Sequence, residues 1–312
     1  MELLPKERTF HFADAITQAS KEKGPLIVGI DPSFSLMPAE LLPATDNSIE
    51  VSKSLYRFSE TVIDAVAETV VAVKFQSAYF EQCGSLGVAA LAQAIAYAKS
   101  KGLLTILDAK RGDIGSTSSA YAAAYLGSKN PMAGSLHIKS DLEVDCLTIN
   151  PFLGIDSITP FVDACKETGK AIFILVRTSN PSAVDLQSLE KDGKSVSQHL
   201  ATEIAELGAG LIGDRGFSNI GAVVGATYPE EARILRSHMP NALILVPGTG
   251  SQGGTIETAA ANFTSSGLGA IISISRAITY PDATEIAPFG FQESVARRAR
   301  SFQEKLRALS SS

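Results

Sequence analysis

The chain has 312 residues, 45% hydrophobic and 19% charged, with a formal net charge of −6. That composition supplies a substantial apolar core and excludes a disordered chain. The acidic balance argues against a surface that coats nucleic acid, although a local patch can still hold a small anion.

In chain order, Phe10 to Lys23 reads as a helix, with Phe12, Ala13, Ile16 and Ala19 at helical spacing. Leu26 to Ile30 reads as a buried strand ending in Asp31, and the Pro-containing stretch Phe34 to Asn47 as irregular. A helix is expected from Ser54 to Thr69, then a strand from Val70 leading into Lys74-Phe75-Gln76. An Ala-rich helix from Gly87 to Ser100 precedes a third strand, Leu103 to Asp108. Further on, helix over Ser118 to Leu126, strand over Val144 to Ile149, helix over Ser157 to Thr168 and strand over Ala171 to Val176 follow in turn. The polar stretch Pro181 to Ser195 reads as an exposed excursion. Helix Val196 to Gly208, strand Ile220 to Ala226, helix Pro229 to Ser237, strands Ala242 to Val246 and Ala270 to Ile274, and a closing helix Phe291 to Leu309 complete the pattern.

Apolar strands alternating with helices in this number predict a (β/α)8 (TIM) barrel, with the excursions as insertions in strand-connecting loops. The whole chain, 1–312, reads as one such domain with its core at about 24–290 and terminal helices packed on it. An open doubly wound sheet is the alternative; no G-x-G-x-x-G follows the first strand to support it. In a barrel the strand C-termini share one face and carry the site. Asp31, Lys74, Asp108 with Lys110, Asn150, Ser179, Gln252 and Arg276 all fall at or just beyond such ends.

Two stretches stand out. In Leu104 to Thr117 an apolar run ends in Asp108, Lys110, Arg111 and Asp113, four charges within six residues. Asp108 and Lys110 are two apart, so an extended backbone points them the same way. An ammonium between carboxylates stays charged, which makes it a positioned proton donor rather than a Schiff-base nucleophile. The second stretch, Val246 to Gly254, holds four glycines in seven residues, whose N–H groups can form an anion nest. With Gln252 and the Arg276 fork beyond the last strand, this matches the usual phosphate cradle after strands seven and eight of such barrels.

Other residues invite plainer readings. Cys83, Cys146 and Cys165 are widely spaced and suit core packing, and His11, His137, His199 and His238 show no metal-binding spacing, so no metal cluster is expected. Asp145 suits a structural network, and Asp214-Arg215-Gly216 a polar turn on the opposite barrel face. His137 and Lys139 are weak ligand candidates, while Asn150-Pro151-Phe152 lies at the correct face to shape the pocket or an interface. Met1 to Arg8 lacks the apolar core of a signal peptide and no window reaches about 18 apolar residues, so a cytoplasmic protein with no membrane partner is expected.

In Asp108-Ala109-Lys110-Arg111-Gly112-Asp113-Ile114-Gly115-Ser116-Thr117, the strand-end Asp31 and Lys74, Thr178-Ser179-Asn180-Pro181, and Pro247 to Gly254 with Arg276, the chain resembles the orotidine 5'-phosphate decarboxylase family in its longer form, type 2. The resemblance runs from about Leu26 to Arg276. It implies conversion of orotidine 5'-monophosphate (OMP) to uridine 5'-monophosphate (UMP) and CO2 in pyrimidine biosynthesis, without metal or cofactor. It implies that Lys110 protonates C6 and that Asp108 lies beside the departing carboxylate. Lys74 and Asp31 would face the ribose, Ser179 would read the pyrimidine edge, and Gln252 and Arg276 would hold the phosphate. Asn180, Gly250 and Gly253 are further substrate-contact candidates, and Asp113 and Thr117 would reach into a partner's site across a homodimer. Arg177 stands where many relatives carry lysine, and the excursions 34–47 and 182–193 lengthen the chain. Two other functions stay open at this point: a phosphosugar synthase or epimerase on the same barrel, and a non-catalytic phosphate-ligand sensor.

Overall fold

The computed structural model describes residues 10–129, 134, 136, 138–249 and 253–310. Runs rich in Val, Ile and Leu form strands covered on both faces, as a parallel barrel requires. They are β1 (Leu26–Ile30), β2 (Ala72–Gln76), β3 (Leu104–Arg111), β4 (Cys146–Ile149), β5 (Ala171–Arg177), β6 (Ser218–Val224), β7 (Ala242–Val246) and β8 (Ala270–Ile274). Each pairs in parallel with its neighbours in sequence, and β8 pairs with β1, so the sheet closes. Closure gives the expected (β/α)8 barrel and rules out the open sheet.

The main helices are α1 (Phe12–Lys23), α2 (Ser48–Val66), α3 (Gly84–Ser100), α4 (Gly115–Leu126), α5 (Ile155–Thr168), α6 (Val196–Gly208), α7 (Pro229–His238) and α8 (Phe291–Ser310). Among the described residues no helix is long and apolar enough to cross a membrane.

Strand alternation divides the core in two. Val28, Val73, Leu107, Leu147, Ile174, Ile244 and Ile272 belong to the cluster between sheet and helices. Ile27, Ala72, Ile106, Cys146, Phe173, Leu243 and Ile271 point the other way and fill the barrel. Phe12, Ala13 and Ile16 of α1 join this inner cluster and close the N-terminal end of the barrel. Phe12 meets Phe173 edge-on at 6.3 Å, and the Ala13 N–H donates to Asn219 Oδ1 at 2.9 Å.

Several element boundaries move, each for a local reason. α2 starts at Ser48 rather than Ser54, because the Asn47 side chain accepts from the N–H groups of Ile49 and Glu50 and caps the helix there. A short helix, Ser77–Glu81, follows β2 directly and carries Tyr79 towards the barrel mouth. β3 continues beyond Asp108 to Arg111, but with a register shift against β4 between Leu107 and Arg111. The 181–195 excursion is not shapeless. It holds a helical turn, Val184–Gln187, and a hairpin pairing Glu190–Lys191 with Lys194–Ser195.

Asp145, the turn at Asp214 and the cysteines take the structural roles expected of them. Asp145 Oδ2 accepts from the Thr105 N–H and Oγ1 at 2.8 and 2.7 Å, a structural network. Asp214 and Arg215 donate their N–H groups to the Asp14 carboxylate of α1, on the face opposite the strand C-termini. Cys146 and Cys165 are buried and Cys83 half-buried. His137 lies outside the described residues, and Lys139 is exposed.

Candidate active site

The inward-pointing series that begins with Ile27, Ala72, Ile106, Cys146 and Ile271 turns polar one step towards the strand C-termini. On β2 the same side carries Lys74 and then Gln76, on β3 Asp108, on β4 Thr148 and on β8 Ser273. Barrel closure thus gathers polar groups from distant parts of the chain above an apolar floor. Lys74, Gln76, Asp108 and Ser273 line a cavity of about 680 Å³ together with Asp31, Tyr79, Lys110, Thr178, Ser179, Asn180, Thr249, Ser275 and Arg276, and the buried Thr148 stands behind that wall, bonded to Asp108.

Asp108 is the hub. It lies beside Gln76 in the β2–β3 register. Its Oδ2 accepts from Lys74 Nζ and Gln76 Nε2, both at 3.1 Å. Its Oδ1 accepts from Lys110 Nζ at 2.5 Å and from Thr148 Oγ1 at 2.9 Å. Burial by itself would raise the Asp108 carboxyl, but Lys74 and Lys110 outweigh it and hold it well below the usual carboxylate range. Burial likewise opposes the charge on Lys74, and the Asp108 and Asp31 carboxylates overcome it and keep that ammonium above its ordinary value. The site is therefore a fixed charge array set in a low-dielectric wall.

Lys110 meets Asp108 as expected, but not on an extended backbone. Its φ is +48°, in the left-handed region that a side-chain-bearing residue enters at a cost of about 1–2 kcal/mol. The register shift and this turn aim Lys110 into the cavity. Thr148 supports the conformation, because its Oγ1 accepts the Lys110 N–H at 3.0 Å. One hydroxyl thus ties the backbone of Lys110 to the carboxylate of Asp108.

Asp31 Oδ1 is buried with no hydrogen-bond partner among the described residues, and Lys74 Nζ is 3.9 Å away. A buried acceptor left open at a cavity wall suits a ligand hydroxyl. Arg276 opens a short helix after β8, and its Nη2 donates to Tyr79 Oη at 3.4 Å. Among the described residues no group of His, Cys, Asp and Glu is placed to hold a metal ion.

Of the residues singled out from the sequence, Asp31, Lys74, Asp108, Lys110, Ser179, Asn180 and Arg276 come together in this cavity. Asp113 and Thr117 do not line it. Asp113 Oδ1 accepts the Ile114 N–H at 2.8 Å, and Thr117 is exposed on the first turn of α4. Gly253 is exposed, with φ +87°, and is also outside the cavity wall, whereas Gly250 and Gln252 lie outside the described residues. Asn150 turns its Oδ1 to the Phe152 N–H instead of the cavity. Arg177, noted only as a departure from a lysine, is 1% exposed and bound to Glu231, so it stands behind the wall.

Gln76, Tyr79, Thr148 and Ser275 escaped the sequence reading. Gln76 carried a usable signal, since it sits two residues after Lys74 and must face the same way. Thr148 carried little, because a threonine near a strand end is read first as an ordinary β-former.

A family model described as orotidine 5'-phosphate decarboxylase / HUMPS family matches residues 24–285. A curated relative from Rhodopirellula baltica, named orotidine 5'-phosphate decarboxylase, is 40% identical over 283 residues and 90% of each chain is covered. Another of the same name, from Caldicellulosiruptor saccharolyticus, is 38% identical over 304 residues, covering 96% of this chain and 98% of that one. Among solved structures, the Leishmania donovani OMP decarboxylase superposes with a TM-score of 0.70 at 26% identity, covering 96% of this chain and 100% of that one.

Proposed function

Because the chain belongs to the orotidine 5'-phosphate decarboxylase / HUMPS family, we propose that it is the decarboxylase that converts OMP to UMP and CO2 in pyrimidine biosynthesis. The observation that carries this reading is the Lys74–Asp108–Lys110 array at the mouth of the barrel, with Lys74 and Asp108 buried and Lys110 reaching into the open cavity.

The chemistry needs such an array. Cleavage of the C6–carboxylate bond leaves the electron pair on a ring carbon with no adjacent electron sink. Water stabilises that charge poorly. An ammonium already fixed beside C6 stabilises it as it develops and then donates a proton, forming the C6–H bond of UMP. The resulting Lys110 amine recovers its proton from solvent when product leaves. Asp108, held ionised by its lysines, faces the substrate carboxylate, and that like-charge contact disappears with CO2. Asp31 and Lys74 bind ribose hydroxyls, Ser179 and Asn180 meet the pyrimidine, and Arg276 with the loop holding Gly250, Gln252 and Gly253 binds the phosphate. Phosphate binding far from C6 can serve the reaction if it completes the site.

In this reading the protein is the longer, type 2 form, works in the cytoplasm as one 312-residue domain, and pairs into a homodimer. Asp113 and Thr117 then serve the partner subunit's cavity, which accounts for their placement outside their own. A ligand-sensing role would use Arg276 but leaves the lysine–aspartate array without a task.

The test is the loss of OMP absorbance with purified, chelator-treated protein, run beside Lys110→Ala. Turnover in the first and none in a folded second is expected. Binding of OMP without turnover by the wild type would refute the proposal and favour the sensor.

A further inference from the structure

The barrel needs only a few residues to join β5 to α6, yet 181–195 makes a longer detour, most of it exposed. One of its side chains is nonetheless tightly engaged. Gln187, at the end of the helical turn Val184–Gln187, accepts through Oε1 from the Thr178 N–H at 2.9 Å and from Arg177 Nη1 at 3.4 Å. Its Nε2 donates to Thr178 Oγ1 at 2.9 Å, and Thr178 Oγ1 donates onward to Asn180 Oδ1 at 2.6 Å. The amide has one satisfactory orientation, since the reverse would set its NH2 against two donors. Its backbone is fixed as well: Ser197 Oγ of α6 donates to the carbonyls of both Gln187 and Val176.

The other partners are equally constrained. Arg177 is fully buried, holds Glu231 through two bonds of 2.7 and 3.2 Å, and lies 4.1 Å from the centre of the Tyr228 ring. On the opposite side of the loop, a Cβ at Gly225 would come within 3.0 Å of Ser179 Cβ, so β6 approaches closely there. Thr178, Ser179, Asn180 and Pro181 form one wall of the cavity. That wall is held between Gly225 on one side and the Arg177–Gln187 pair on the other.

We infer that Gln187, carried on the 181–195 excursion, is a positioning residue that holds Thr178 and Asn180, and with them the 178–181 wall, in the conformation that meets the base of the nucleotide. The inference rests on the proposed function for the identity of the ligand, but not for the geometry. Gln187 touches no part of the cavity wall's inner surface itself and acts through Thr178 and Asn180.

The experiment compares wild type, Gln187→Leu and Gln187→Glu. It measures OMP turnover, and calorimetric binding of UMP and of ribose 5-phosphate, which lacks the base. Gln187→Leu keeps the volume and loses every side-chain hydrogen bond. It should weaken UMP about tenfold, raise KM for OMP by a similar factor and leave ribose 5-phosphate affinity unchanged. Gln187→Glu keeps the acceptors for the Thr178 N–H and Arg177 but loses the donor to Thr178 Oγ1, so it should recover only part of the loss. If Gln187→Leu weakens both ligands alike, or neither, the positioning role is wrong. If the wild type binds UMP but does not turn over OMP, the function proposal fails while the binding comparison still decides the role of Gln187. A wild type that binds neither ligand overturns both.

Discussion

Replacing Lys74 by methionine probes the charge array most directly. Lys74 is 4% exposed, with Nζ 3.1 Å from Asp108 Oδ2 and 3.9 Å from Asp31 Oδ1. Methionine preserves the volume and removes the cation, leaving two carboxylates at a buried site with less compensation. Breaking a buried pair in this way costs about 3–5 kcal/mol. Asp108 retains Lys110, Gln76 and Thr148, so the lower end, about 3 kcal/mol, is expected near neutral pH. The pH dependence follows from the shifts. Asp108 is depressed in the folded protein, so its contribution is complete above its unfolded value, about 3.9, and is lost as pH falls through the folded value. Lys74 is raised, so its contribution is complete below about 10.4 and is lost as pH rises through the folded value. The difference between wild type and Lys74→Met should therefore be flat from about pH 5 to 9 and shrink in acid, where Asp108 of the variant takes up a proton more readily. Urea unfolding at several pH values measures it, with circular dichroism and tyrosine fluorescence required to give coincident transitions. A loss below about 1 kcal/mol at pH 7, or one that is unchanged at pH 3, would refute the reasoning.

Two further predictions concern the same site. Thr148→Val keeps the shape of a fully buried side chain and removes the hydroxyl that joins Asp108 to the Lys110 N–H. Steady-state kinetics should show kcat lower by about 10–100-fold with a smaller change in KM, and Thr148→Ser should restore most of it; an unaltered kcat would mean that Lys110 is held by other contacts. For the dimer, mixing inactive Asp113→Ala with inactive Lys110→Ala should regenerate activity, because hybrid dimers contain one intact site. Verified subunit exchange with no recovered turnover would place Asp113 outside any shared site.

Much of the architecture is local physics and was readable from the chain. Continuous Val/Ile/Leu runs between amphipathic helices signal strands covered on both faces, and their number signals closure. Asp108 and Lys110 stand out because charges that end a buried strand are costly unless they are paired. The excursion 181–195 looked like a polar loop for the same local reason: nothing nearby in sequence shows that Gln187 reaches back to Thr178.

What the sequence determined by itself, then, is where the strands lie and which of their ends carry charge, because hydrophobic periodicity and abrupt polarity are properties of neighbouring residues. What only the tertiary structure decided is how those ends meet. Thr148 is 40 residues from Asp108, and the contact exists because β3 and β4 are adjacent in the closed sheet. The left-handed turn at Lys110 comes from a register shift between those same strands, and Arg177 became a buried clamp because α7 brings Glu231 and Tyr228 to it. Each depends on which strands and helices become neighbours, and only barrel closure settles that.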